Sequence, residues 1–193
     1  MSHVLALLGL ALFAMNVAGA VRPEIVEGNA SSPVRVVIYE DLQCSDCQVL
    51  RTMMDEKLLP RYGSKVAFVH RDMPLPRHDW ARQAAVAGRW VYERNKELGI
   101  TFRREILAEQ SHLTPTLLKP WLQEFARRNH LDETGIVESL NDARLLKLVD
   151  QDYMGAVARG VAKTPSVYVG AQSFVEIVIY EDVARALDVE LGR

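Results

Sequence analysis

Cysteine is almost missing from this chain: among 193 residues there are two, Cys44 and Cys47. Two cysteines cannot make a disulfide scaffold, so the fold must rest on its apolar core, and no third thiol is present to pair with either. The histidines are scattered at His3, His70, His78, His112 and His130, with no H-x3–5-H pair and no second cysteine pair. A four-ligand zinc site thus finds only half of its usual ligands at short spacing. Charge of one sign is lacking too. The formal net charge is −2, without an acidic tail or a basic run, which leaves nucleic-acid binding by a charged surface without support. No internal repeat or low-complexity tract is visible.

What is present reads as one compact globular domain, with 49% hydrophobic and 25% charged residues. The first twenty residues stand apart. Val4 to Val17 is apolar except for Asn16, and Ala18-Gly19-Ala20 is a small-x-small site. This reads as a secretory signal peptide cleaved after Ala20. Met1-Ser2-His3 lacks the expected Lys or Arg, and the apolar run approaches the ~20 residues that span a bilayer. An uncleaved N-terminal membrane anchor is therefore the second reading. Either way the domain is expected in an oxidising, extracytoplasmic space, periplasmic or secreted.

The chain is organised around Cys44-Ser45-Asp46-Cys47. A strand-like run, Val34 to Tyr39, precedes it, and helical spacing follows in Val49, Leu50, Met53, Met54 and Leu58. Cysteines three apart at a helix start share one side of the first turn, and their α-carbons can lie near the ~5.5 Å a disulfide prefers. The partial positive charge and free N–H groups of a helix N-terminus favour a thiolate on Cys44. A redox dithiol is the chemistry this arrangement suits best; half a metal site, or two inert buried cysteines, are the alternatives.

Residues 21–33, with Gly28, Asn29, Ser31 and Ser32, read as a lead-in segment. After the first strand, the CxxC helix is expected to end near Leu59, ahead of Pro60 and Gly63. Lys65 to His70 is a second strand, and Asp72 to Pro76 a rigid exit loop. From His78 to about Gly160 the pattern is helical only. Gly99 is expected to end the first helix there, and Phe102, Ile106 and Leu107 mark a short second one. Thr114-Pro115 supplies an N-cap and a first-turn proline for a third. Further helices are expected from Asp132 to about Leu140 and from Ala143 to Arg159, with Gly160 as a C-cap. Arg103-Arg104 and Arg127-Arg128 read as solvated faces. Ser166 to Val169 and Ser173 to Ile177 form a hairpin pattern, and Tyr180 to Leu187 a closing helix. Residues 34–77 and 161–193 thus make one split α/β unit, interrupted by a helical insertion at 78–160.

Taken together, Asp41-Leu42-Gln43-Cys44-x-x-Cys47, the stretch from Phe68 to His78, Ala81-x-x-Ala84-Ala85 and Gly160 to Gly170 resemble the DsbA-like thioredoxin-fold family of thiol–disulfide oxidoreductases. The resemblance spans Val34 to about Leu191. It implies an α/β thioredoxin fold with an all-helical insertion. It also implies a cis bond before Pro165, lying against the CxxC, with Thr164 offering backbone groups to an extended substrate by strand addition. Cys44 and Cys47 would be catalytic, Ser45 and Asp46 would tune the potential, and Thr164 and Pro165 would bind substrate. Partners would be thiol- or disulfide-bearing proteins or peptides and a redox partner that recycles the dithiol; no cofactor is required. Two departures stand out. Ser45-Asp46 replaces a pair that often contains His, so Asp46 should push the Cys44 thiol up, towards the upper end of the roughly 3.5 to 7.5 span of such sites. Ile38 occupies a position where many relatives carry a buried acid; Glu40 or Asp41 is the available substitute unless solvated. The rival class is a thioredoxin-fold binding domain whose dithiol holds copper or zinc.

Overall fold

In a computed structural model that describes residues 23–193, the chain forms a five-stranded mixed sheet flanked by helices. The expected leader at 1–20 lies outside the described residues. The strands are β1 (Ile25–Gly28), β2 (Arg35–Glu40), β3 (Ala67–Asp72), β4 (Ser166–Val169) and β5 (Gln172–Val175), in the order β1-β3-β2-β4-β5. Only β2 and β3 pair in parallel. β2 is apolar on both sides because both its faces are covered. Val36 and Ile38 pack with Leu50, Met54 and Leu187 on one side, and Tyr39 with Met73, Ala156 and Val161 on the other.

The lead-in therefore contains a strand. Its alternation is only Ile25 and Glu27 inward, too short to register as a period. β1 forms one edge of the sheet, and the Tyr92 hydroxyl closes that edge: it accepts the Val26 N–H at 3.0 Å and faces the Val26 carbonyl at 3.4 Å.

Helix α1 (Ser45–Met53) does not stop before Pro60. A π-helical turn at Met54–Leu58 carries the chain into α2 (Leu59–Tyr62). Proline has no N–H to give, and a widened turn just upstream is a recognised way for a helix to absorb such a break. Helices α3 (Ala81–Arg94), α4 (Lys96–Glu109), α5 (Pro115–Arg128), α6 (Glu133–Glu138) and α7 (Ala143–Ala158) follow, and α8 (Tyr180–Glu190) closes the chain. Thr114 caps α5 through Leu117 N–H, and Gly160 (φ +76°) ends α7, both as expected. Gly99 does not end a helix. It sits inside α4, where a Cβ would lie 2.5 Å from Tyr92; the break comes instead at Asn95, whose side chain caps α4 through the Leu98 N–H. The helical core gathers Trp80, Phe102, Leu118, Leu122 and Phe125. Cys44 and Cys47 belong to this cluster, so they sit where the helices meet the sheet.

A chain of buried charges runs through that junction. Arg103, expected on a solvated face, is 1% exposed and joins Glu40 (2.8 Å) to Asp72 (2.9 Å). Arg89 bridges Asp72 (2.6 Å) and Asp152. His70 is buried with Nδ1 2.7 Å from Glu40. Burial disfavours the His70 cation, but Glu40 and Glu27 outweigh it and hold the imidazole above its ordinary value. Burial also raises Glu40, while His70 and Arg103 pull it well below the carboxylate range.

The sign of the pH dependence follows. Glu40, held low, contributes stability that is complete above its ordinary 4.5 and is lost as pH falls. His70, held high, contributes stability that is complete below 6.5 and is lost as pH rises through its folded-state value. The thermal midpoint is thus expected to peak between these two values. His70→Gln should flatten the alkaline fall; a wild-type midpoint that climbs steadily above pH 6.5 would contradict this.

Candidate active site

Cys44 is the N-cap of α1, with extended backbone (φ −89°, ψ 123°), and its carbonyl receives the Cys47 and Gln48 N–H groups. Both cysteines are free thiols and both are buried, Cys44 at 4% exposed and Cys47 at 0%. The Thr164–Pro165 peptide is cis, and the Thr164 carbonyl lies 3.4 Å from the Cys44 sulfur. The turn that carries it, 120 residues away in sequence, precedes β4, and antiparallel pairing of β4 with β2 brings it there. The buried Thr164 Oγ1 makes no hydrogen bond within the described residues. Ser45 and Asp46 open the helix with exposed side chains.

The two sulfurs are electrically unequal. The Cys44 thiol is lowered to about 6, chiefly by a hydrogen bond from Cys47; burial opposes this, and Thr164 and the N–H groups of Cys47 and Asp46 assist. At about 6 the thiol lies in the upper half of the roughly 3.5 to 7.5 span of such sites, as expected; Asp46 contributes its backbone N–H, and its carboxylate is exposed. Burial pushes the Cys47 thiol far up, and its tie to Cys44 and the Glu40 charge add to this. A nucleophile ionised near neutrality beside a thiol that keeps its proton is an arrangement suited to disulfide exchange.

The Cys47 contribution is measurable. Cys47→Ala should return Cys44 towards the ~8.5 of a free thiol. At pH 6 the thiolate fraction would then fall by roughly a hundredfold, partly offset by the greater nucleophilicity of a more basic thiolate. Iodoacetamide alkylation at pH 6 is expected to slow about tenfold; an unchanged rate would show that Cys47 does not support the thiolate.

Three further groups complete the site. Gln110 donates from Nε2 to the Cys44 carbonyl at 3.1 Å, fixing the helix mouth. Asp41 gives its N–H to the Cys47 sulfur at 3.4 Å, and its carboxylate accepts from Gln43 N–H, Leu75 N–H and His78 Nδ1, each at 2.7 Å. Burial raises the Asp41 carboxyl despite those donors. Glu40 and Asp41 are both buried. Strand alternation places Glu40 on the face of β2 that also holds Ile38, so a buried acid lies two residues beyond position 38. Among the described residues no group of three or more His, Cys, Asp or Glu side chains is placed to hold a metal ion.

The thioredoxin family profile matches residues 21–189, almost the whole described chain. The chain belongs to the thioredoxin family. Its fold is that of several solved members. BdbD from Bacillus subtilis in the oxidised form superposes with a TM-score of 0.78 at 19% identity, over 88% of this chain and 94% of that one. The thiol-disulfide exchange protein alpha-DsbA2 from Wolbachia pipientis gives 0.73 at 22% identity, over 86% of each chain. The catalytic domain of Proteus mirabilis ScsC gives 0.72 at 15% identity, over 88% and 90%. In sequence, this thioredoxin-family chain is 33% identical over 150 residues to the Na(+)/H(+) antiporter NhaA 3 of Salinispora tropica. That match covers 76% of this chain and 22% of the antiporter, so the chain spans about a fifth of its curated relative.

Proposed function

We propose that the chain is an extracytoplasmic protein thiol–disulfide oxidoreductase, with Cys44 as the attacking sulfur and Cys47 as the resolving one. The observation that carries this is the geometry of the pair: Cys44 caps α1 one turn before Cys47, and the carbonyl of the cis Thr164–Pro165 peptide lies 3.4 Å from the Cys44 sulfur. In the exchange, a substrate sulfur bonds to Cys44, forming a mixed disulfide. Cys47 then displaces it, closing the internal bridge, and the reverse sequence delivers a disulfide. Thr164 and Pro165 position the partner by main-chain pairing beside the sulfur. Ser45 and Asp46 tune the thiolate through the start of the helix, Asp46 by its N–H.

An ordinary thioredoxin-type nucleophile titrates near 7 and the strongest periplasmic oxidants near 3.5. The lowered Cys44 thiol stabilises the reduced pair and makes the Cys44–Cys47 disulfide more oxidising than one between ordinary thiols. The solved relatives named for thiol–disulfide exchange support the reaction class, and the apolar leader at 1–20 supports the location. Partners are proteins or peptides bearing thiols or disulfides, and a recycling redox protein. Insulin reduction by Cys44→Ser is the test: activity that persists in this variant refutes the assignment.

A further inference from the structure

Closing the internal bridge requires the Cys47 sulfur, 0% exposed, to carry negative charge away from water. We propose that Asp41 is the positioning residue for that step, with His78 as its clamp: the carboxylate anchors the turn before the CxxC, so that the Asp41 main-chain N–H stays aimed at the Cys47 sulfur. The inference rests on the thiol–disulfide exchange just described.

Asp41 acts here through its backbone, not as an acid or a base. Its N–H lies 3.4 Å from Cys47 Sγ, and its carbonyl accepts the Cys44 N–H at 3.1 Å, so one residue's main chain touches both cysteines. The aim of that N–H depends on what holds the residue in place. Asp41 is 1% exposed, and its carboxylate takes donors from two segments. The Gln43 N–H meets Oδ1 and ties the carboxylate to the turn itself. The Leu75 N–H and His78 Nδ1 meet Oδ2 and tie it to the loop that leaves β3, all three at 2.7 Å. A further tie comes from the helices, because Gln43 Oε1 accepts the N–H of Trp80, just before α3, at 3.0 Å. A carboxylate suits this set, since both of its oxygens accept. An amide of equal size must turn its NH2 towards either the Gln43 or the Leu75 N–H, setting donor against donor.

The step so assisted balances as follows. The Cys47 sulfur bonds to Cys44, and the bond from Cys44 to the substrate sulfur breaks. The Cys44–Cys47 pair is oxidised and the substrate sulfur reduced; in the net balance the substrate thiol carries the proton that Cys47 gives up. An N–H aimed at Cys47 steadies its thiolate as nucleophile in this direction and as leaving group in the reverse one. A hydrogen bond to a charged group is worth about tenfold or more in such an equilibrium.

Ellman's reagent separates the two sulfurs in a stopped-flow experiment on the full chain: Cys44 attack releases the first thionitrobenzoate and Cys47 displacement the second. In Asp41→Asn the second phase is expected to slow about tenfold at neutral pH and its pH midpoint to rise, with the first phase within about threefold of the parent. The sign is decisive. Removing a negative charge near Cys47, with no part played by the N–H, would ease thiolate formation and speed that phase. The other ionisable groups that act on Cys47 are Cys44 and Glu40, and both stay in place. His78→Ala is expected to slow the second phase about fivefold, and His78→Asn, which keeps a donor where Nδ1 stood, to recover most of that loss. Circular dichroism verifies folding. Should Asp41→Asn not fold, the two His78 variants, at a side chain 16% exposed, decide alone. A second phase in the folded variants that is faster, or within about twofold of the parent, overturns the inference while leaving the exchange reaction standing. Equal slowing of both phases, or a His78→Ala loss that His78→Asn does not recover, overturns it as well. Absence of the first phase in the parent protein overturns the exchange reaction, and the inference with it.

Discussion

Cys44→Ser is expected to lower insulin reduction by at least about a thousandfold, to the rate of the reductant alone. Loss of a catalytic nucleophile elsewhere costs still more than this. The reason lies in ionisation. At pH 7 a thiol titrating at about 6 is mostly thiolate, whereas a serine hydroxyl is not ionised at that pH. Cys47→Ala should behave differently: Cys44 still attacks, but no second sulfur releases the partner, so mixed disulfides accumulate and can be trapped on non-reducing gels. The contrast between the two variants is the informative result. Equal loss without trapped adducts would mean that Cys44 is not the sulfur that meets the substrate.

Arg103→Met is expected to cost about 3–5 kcal/mol of stability, the range seen when one partner of a buried ion pair is removed. Arg103 lies between Glu40 and Asp72, both nearly inaccessible to water. Methionine fills much of the volume but leaves two buried carboxylates sharing His70 and Arg89 alone. At about 2–4 °C per kcal/mol for a chain of this size, the thermal midpoint should fall by roughly 10 °C. Urea unfolding monitored by circular dichroism checks the free energy. A loss below about 1 kcal/mol would mean that Arg103 behaves as a solvated surface charge. Arg128→Met provides the contrast, since Arg128 is exposed and an exposed pair is worth about 1 kcal/mol or less.

That contrast also marks the limit of what the sequence discloses. The start of the CxxC helix, the hairpin of β4 and β5, the Thr114 cap and the Gly160 terminus follow from local rules of period, capping and turn chemistry, although the helix runs on past Pro60 to Tyr62 and β5 covers Gln172–Val175, not Ser173–Ile177. Arg103 and Arg127 each open an Arg-Arg dipeptide on an amphipathic helix, and nothing local separates them. Only the docking of α4 on β2 and β3 makes one a buried bridge and leaves the other in water. The same holds for Gly99, whose role is set by Tyr92 on the preceding helix. In the site, the pairing of Cys44 with Cys47 at a helix start was legible from spacing, and the cis Thr164–Pro165 bond beside Cys44 from the family resemblance. Gln110, the Asp41–His78 pair and His70 were not, since each acts through a partner 30 or more residues away.

Tyr92 gives the sheet a handedness of access. A sheet has two rims, and an unguarded rim invites another polypeptide to lengthen the ladder, whether a client or an aggregating copy. By offering its hydroxyl to both polar groups of Val26, a helix residue occupies the rim at β1 in place of a stranger. A strand that docked on β1 would first have to evict that hydroxyl from Val26, which turns an open border into an occupied one.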